Sequence, residues 1–127
     1  ISPQPHYRVP EFLSAFDILC CPKIDCDINR LITPIKIFEF MSMGLPTIAS
    51  RVGGIPDVIK DGINGFLATP GDKEDLERIL DWIISNPGLA KEIGQEGRKT
   101  IEEKYAYKVI EDRVAGILYD IMQMKEA

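Results

Sequence analysis

Histidine, tryptophan and cysteine are scarce here: one His, one Trp and three Cys among 127 residues. A structural zinc site takes about four ligands at regular spacing, and Cys20, Cys21, Cys26 and a lone His6 do not supply that pattern, so no metal is expected. Three cysteines, all towards the N-terminal end, also fail the even, dispersed set of a secreted disulfide framework. Cys20 and Cys21 are expected as small core residues in a reducing compartment. Positive charge is not in excess. Fifteen Lys and Arg against twenty Asp and Glu leave a formal charge of −5, which argues against a basic surface tracking a phosphate backbone, and no nucleic-acid partner is expected. No apolar run approaches the roughly 18 residues of a membrane-crossing helix. The opening Ile1-Ser2-Pro3-Gln4-Pro5 lacks an initiator Met and the basic and apolar regions of a signal peptide, and reads as the start of a cut-out segment. No Ser or Cys stands in a recognisable nucleophile setting, so a catalytic triad is not expected.

What is present is an ordinary globular composition, 45% hydrophobic and 28% charged, fitting one domain or a piece of a larger one. Residues 9–16 carry Val9, Phe12, Leu13 and Phe16 at helical spacing. Asp17-Ile18-Leu19-Cys20-Cys21-Pro22 is a short apolar run closed by proline and reads as a buried strand. An irregular stretch, residues 23–32, follows; a connection of about ten residues exceeds the usual length and is often functional. Thr33-Pro34 reads as a helix start, a hydroxyl able to cap followed by proline at the first helical position. That helix runs to Met43 and stops at Gly44. Residues 45–50 read as a second strand, 55–60 as a short helix and 66–69 as a third strand, with Asp61-Gly62 and Asn64-Gly65 as turns. From Asp72, a capping arrangement and the stripe Leu76, Ile79, Leu80, Ile83, Ile84 give an amphipathic helix, broken at Asn86-Pro87-Gly88. A more polar helix is expected from about Leu89 to Lys104, and a last one with Ile110, Val114, Ile117, Leu118 and Ile121 on one face. Alternating strands and helices define an α/β, Rossmann-like parallel sheet covered on both faces. Three strands are few for such a sheet, so the opening βα units are expected to lie outside this chain.

Ligands of open parallel sheets bind beyond the carboxyl ends of the strands, and the N-terminus of the helix after Thr33 should point there, with N–H groups and a dipole that suit phosphate. Between Pro34 and Gly44 every residue is apolar except Lys36, Glu39 and Ser42, which share one stripe and leave the other sides reading as buried. Two readings are open: an ordinary Lys36–Glu39 ion pair on a narrow exposed strip, or Lys36 meeting a phosphate while Glu39 accepts hydrogen bonds from sugar hydroxyls. Gly53-Gly54 after a strand is either a turn or a place where backbone approaches a ligand. Arg51 could reach an anion but reads better as a lone exposed arginine, and Asp25 and Asp27 as solvated loop acids. His6 lies in an opening stretch that reads as disordered.

The run Thr33-Pro34-Ile35-Lys36-Ile37-Phe38-Glu39-Phe40-Met41-Ser42-Met43-Gly44-Leu45-Pro46-Thr47-Ile48-Ala49-Ser50, with Gly53-Gly54-Ile55-Pro56-Asp57-Val58-Ile59 and Asp61-Gly62-Ile63-Asn64-Gly65-Phe66-Leu67, resembles the C-terminal, nucleotide-sugar-binding domain of the retaining glycosyltransferases of family 4, also called glycosyltransferase group 1. The resemblance implies a glycosyltransferase-B fold of two facing Rossmann-like halves, of which residues 1–127 form part of the donor-binding half, without its first βα units or the N-terminal acceptor domain. It implies that the chain belongs to an enzyme, a transferase of hexosyl type that moves sugar from a nucleoside-diphosphate-sugar to an acceptor with retention, this segment alone being inactive. Donor binding would fall to Glu39 on the ribose hydroxyls, and to Thr33, Pro34, Ile35, Lys36, Gly53 and Gly54 around the diphosphate. Oriented N–H groups and cations would stabilise the departing diphosphate, so no metal cofactor is required. A saccharide or lipid-linked acceptor would bind the N-terminal half. The expected place is the cytoplasm, with peripheral docking at the inner membrane face left to the full-length enzyme. Two positions depart from the family pattern: Asp57 stands where Glu is usual, and Leu31, eight residues before Glu39, stands where many members carry a first glutamate. The chain resembles more closely the subgroup with a Ser/Thr-Pro-x-Lys-x-x-Glu run. A nucleotide-sugar epimerase on the same architecture and a non-catalytic α/β interaction domain are the alternatives.

Overall fold

The computed structural model describes residues 5–126; the expected cut-out start, Ile1-Ser2-Pro3-Gln4, and Ala127 lie outside the described residues. Three strands, β1 (Leu19–Cys21), β2 (Thr47–Ser50) and β3 (Phe66–Ala68), form one parallel sheet in the order β1-β2-β3. Leu19 pairs with Thr47 and Cys21 with Ala49; Ile48 pairs with Phe66 and Ser50 with Ala68. Side chains alternate across a strand, and this register sorts them into two cores. Cys21, Ala49 and Leu67 face one side with Ile37, Met41, Ile55, Val58, Ile59 and Ile101. Ile48, Phe66 and Ala68 face the other with Ile79, Ile83 and Ala90. The expected double-sided cover is therefore present.

The first core is roofed by α3 (Ile35–Ser42) and α4 (Ile55–Val58), the second by α5 (Lys73–Ser85), while α6 (Pro87–Lys104) contributes to both. The N-terminus of α5 is held as the sequence indicates: Asp72 accepts from the Asp75 N–H at 2.9 Å. Asp75 in turn accepts from the Thr69 N–H at 2.7 Å. That bond, joined by the Arg78 guanidinium, lowers the Asp75 carboxyl to about 2, tying the exit of β3 to the helix that follows.

Several expectations need correction. Residues 9–16 give only α1 (Val9–Leu13), preceded by a 3-10 turn at His6–Arg8, and the loop 23–32 contains a single helical turn, α2 (Asp27–Arg30). Helix α6 begins at Pro87, two residues early, because proline suits a first-turn position where no N–H is needed. Of the two adjacent thiols only Cys21 is buried; Cys20 points to the other face of the sheet and is exposed, and all three cysteines are free. Ile84 is exposed as well, at the margin of its stripe. The last helix, α7 (Tyr107–Glu126), forms as read, yet Val114, Ile117, Leu118 and Ile121 are all exposed. Asn64 is buried, not simply a turn residue: it accepts from the Lys60 N–H at 2.7 Å and donates to the Val58 carbonyl and the Thr100 hydroxyl.

Candidate functional site

The chain leaving β1 reaches α3 through residues 22–34, and this segment is fixed at both ends. At its start the Lys23 N–H donates to the Ser50 hydroxyl at 2.7 Å, a group buried at the carboxyl end of β2. In the middle Arg30 grips Asp25 through two bonds of 2.6 and 2.9 Å and lies 3.5 Å from Asp27. The loop acids are thus paired with arginine, and the Arg30 hydrogen bond holds the Asp25 carboxyl below its usual range. At its end the Gly54 N–H donates to the Ile32 carbonyl at 3.4 Å.

Pro34 does not occupy the first helical position. It is the cap, with extended backbone at φ −63° and ψ 132°, and no side chain caps α3. The Thr33 hydroxyl, expected to cap, is turned towards Gly54, where an added Cβ would lie 2.0 Å from it. A Cβ on Gly53, whose φ is +58°, would lie 2.3 Å from the Asn29 carbonyl oxygen and 2.6 Å from that of Ile32. The space beside both glycines is filled by the chain's own segment 29–33. Of the residues singled out from the sequence, Thr33, Gly53 and Gly54 are brought together, directly under the start of α3.

Along α3, Ile37 and Met41 are wholly buried, and Phe38, Phe40 and Met43 partly so. Ile35, expected among the buried sides, is 74% exposed: it is the first residue of α3, and the buried face of the helix is Ile37 and Met41. Lys36 and Ser42 are exposed, and the Ser42 hydroxyl donates back to the Phe38 carbonyl. The Lys36–Glu39 ion pair left open by the sequence does not form: among the described residues the Lys36 ammonium has no hydrogen bond or ion pair. Glu39 instead takes His6, its Oε1 lying 2.8 Å from Nε2. The Glu39 side chain is 27% accessible and that of His6 85%, so an exposed imidazole sits on a half-buried carboxylate. The two, with Val9, Leu13, Ser42 and Met43, line a groove of about 270 Å³ between the N-terminal turns and α3. At the start of α3 the Ile37 N–H donates to the Pro34 carbonyl at 3.1 Å, while the Lys36 ammonium is exposed and unpaired among the described residues, one turn away from the Glu39 carboxylate.

His6 and Ser50 are the contributors that sequence reasoning did not single out. Ser50 carried only the signal of standing at a strand's carboxyl end; His6, 33 residues from its partner, carried none. Arg51 does not face a free anion site: it is paired with Asp61 at 2.9 Å, and Asp61 also accepts from the Leu67 N–H. A separate, mainly apolar hollow of about 250 Å³ lies on the α5 side of the carboxyl edge, between Cys20, Pro22, Ser50, Thr69 and Asp72, and neither Lys36 nor Glu39 reaches it. Among the described residues no group of three or more His, Cys, Asp or Glu is placed to hold a metal ion, and no helix is long and apolar enough to cross a membrane.

The three-stranded parallel sheet with helices on both faces is an α/β domain, and its solved neighbours give its type as glycosyltransferase-B. Sucrose-phosphate synthase from Thermosynechococcus elongatus superposes with a TM-score of 0.83 at 21% identity, covering 98% of this chain and 30% of that one. The Anabaena protein Alr3699/HepE, solved in complex with UDP and glucose, does so with 0.78 at 23% identity, over 87% of this chain and 29% of that one. The particular family follows from the sequence: residues 1–100 match the model of the glycosyl transferases group 1, and the chain belongs to that family. Among curated relatives, the N-acetyl-alpha-D-glucosaminyl L-malate synthase of Bacillus anthracis is 30% identical over 87 residues, which is 68% of this chain and 23% of that protein. The amylovoran biosynthesis glycosyltransferase AmsK of Erwinia amylovora is 26% identical over 118 residues, 91% of this chain and 28% of that protein. The chain therefore spans less than a third of the length of these relatives.

Proposed function

We propose that this chain is the donor-binding part of a retaining glycosyltransferase that moves a hexosyl group from a nucleoside-diphosphate-sugar to an acceptor. The observation that carries the reading is the tip of α3: a Lys36 unpaired among the described residues in its first turn and a partly accessible Glu39 one turn further, on a helix apolar but for these and Ser42. Lys36 and the first-turn N–H groups hold the diphosphate, and Glu39 exchanges His6 for the ribose hydroxyls. Thr33, Pro34 and Ile35 lead the chain into that turn, and Gly53 and Gly54 back it. The complexes of Alr3699/HepE with UDP and with UDP-glucose support a nucleotide sugar as the donor.

Transfer requires the bond between the anomeric carbon and the diphosphate oxygen to break, and negative charge builds on that oxygen. Pre-oriented N–H groups and an ammonium lower the barrier most where that charge develops, in a site closed to water. Lys36 with the helix terminus supplies part of this stabilisation without a metal ion. The acceptor, a saccharide or a lipid-linked saccharide, binds a separate N-terminal half. The enzyme works in the cytoplasm, with any docking on the inner membrane face made through that half. Product analysis with the full-length natural protein and a set of UDP-, GDP- and ADP-sugars tests this. Sugar appears on the acceptor with the anomeric configuration of the donor; an inverted product would overturn retention, and free epimerised donor would identify an epimerase instead.

A further inference from the structure

We infer that the loop of residues 50–54 is a template for the donor site, and that Ser50 and Gly54 are positioning residues that act on the donor only through the segment 23–34. The inference rests on the proposed donor site and concerns how its α3 tip is held. Within the segment Arg30 holds Asp25 and Asn29 holds the Ile24 carbonyl, but these contacts end before the tip: Pro34 is an extended cap and no side chain caps α3. The segment's other anchors come from across the sheet edge. Ser50, 2% exposed, accepts the Lys23 N–H, and Gly54 donates to the Ile32 carbonyl. Gly53 and Gly54 then admit the carbonyls of Asn29 and Ile32 and the Thr33 hydroxyl into space that a Cβ would fill.

The two glycines differ in a way that isolates the effect. Gly53 has φ +58°, so a side chain there is strained whatever its neighbours. Gly54 has an ordinary backbone, φ −81° and ψ 3°. For an alanine at 54 the obstacle is Thr33: Oγ1 at 2.0 Å, whereas Thr33 Cβ at 3.4 Å and Asp57 Oδ2 at 3.9 Å are ordinary contacts. Thr33 is β-branched and stiff about χ1, so accommodating the new methyl displaces the residue immediately before Pro34. A shift there moves the first turn of α3, and a displacement on the order of an ångström at a binding tip weakens it by roughly tenfold or more.

A double-mutant cycle on the full-length natural protein tests the template. Donor KM, kcat and the Kd for the nucleoside diphosphate are measured for the natural protein, Gly54→Ala, Thr33→Ala and the double variant. Gly54→Ala lowers kcat/KM for the donor about tenfold or more when Thr33 is present and by less than about twofold in the Thr33→Ala background, the loss falling on kcat as well as on KM because the tip serves the departing diphosphate. An equal loss in both backgrounds would mean that Gly54 itself meets the donor, and would overturn the positioning role while leaving the donor site standing. No nucleotide binding by the natural protein would overturn both. Should Gly54→Ala fail to fold, Ser50→Ala, which removes the acceptor of the Lys23 N–H, lowers kcat/KM for the donor several-fold; an unchanged kcat/KM would overturn the template.

Discussion

Glu39→Ala binds nucleoside diphosphate and nucleotide sugar about 100-fold more weakly than the natural protein, while the fold stays intact. Two hydroxyls of a ribose donating to one carboxylate form charge-assisted bonds, each worth about 1.5–3 kcal/mol when the partner is left unsatisfied, and about 1.4 kcal/mol is a factor of ten. The contact that Glu39 makes in this structure cannot account for such a loss through stability. Its partner His6 is largely exposed, and surface pairs contribute about 0–1 kcal/mol. Isothermal titration with UDP, GDP and ADP, beside a thermal melt of each variant, separates the effects. Loss of binding with an unchanged melting midpoint supports the assignment; unchanged affinity removes Glu39 from the site.

The second large effect is on stability. Ile37→Ala destabilises the chain by about 2–5 kcal/mol, the range for deleting a buried branched side chain into a core that cannot collapse around the gap. Ile37 is fully buried in the core that also holds Met41, Ala49, Val52 and Ile55, so it fastens the helix carrying Lys36 and Glu39 to the sheet and to the loop after β2. Ile35→Ala, on the same helix but exposed, changes stability by less than about 0.5 kcal/mol. Denaturant unfolding of the two variants checks both figures. A loss below about 1 kcal/mol for Ile37→Ala would mean that α3 is not anchored as described.

The contrast between Ile35 and Ile37 shows what was legible in the sequence. The stripe of Lys36, Glu39 and Ser42 was read correctly because helical spacing decides which side chains share a face. Spacing does not say which end of a helix its neighbours leave uncovered, and so Ile35 was expected to be buried. The same limit explains α7: its apolar face was visible as a pattern, while what covers it is not set by its own residues. Cys20 and Cys21 both read as core residues, because a period-two strand needs partners on each side before its faces can be ranked, and only Cys21 is buried.

At the site, motif and strand order placed the tip of α3 at the carboxyl edge, but the contacts holding it were hidden. Thr33-Pro34 has the composition of a cap, yet the hydroxyl lies against Gly54, in space that a Cβ there would fill. Gly94 and Gly97 let α6 approach the backbone of Gly44-Leu45 and the Asn64 carbonyl. Each of these contacts joins residues distant in sequence, and no local rule of propensity contains them.

The proposed function has the first turn of α3 hold a diphosphate through Lys36. Its most direct test is the affinity of the full-length protein for a nucleoside diphosphate, measured for the natural sequence and for Lys36→Ala at low and high salt. The natural protein binds saturably; Lys36→Ala binds about tenfold more weakly, as expected for one charge-assisted bond, and shows a flatter salt dependence because one cation has left the site. Equal affinities and equal salt slopes for the two proteins would contradict the claim.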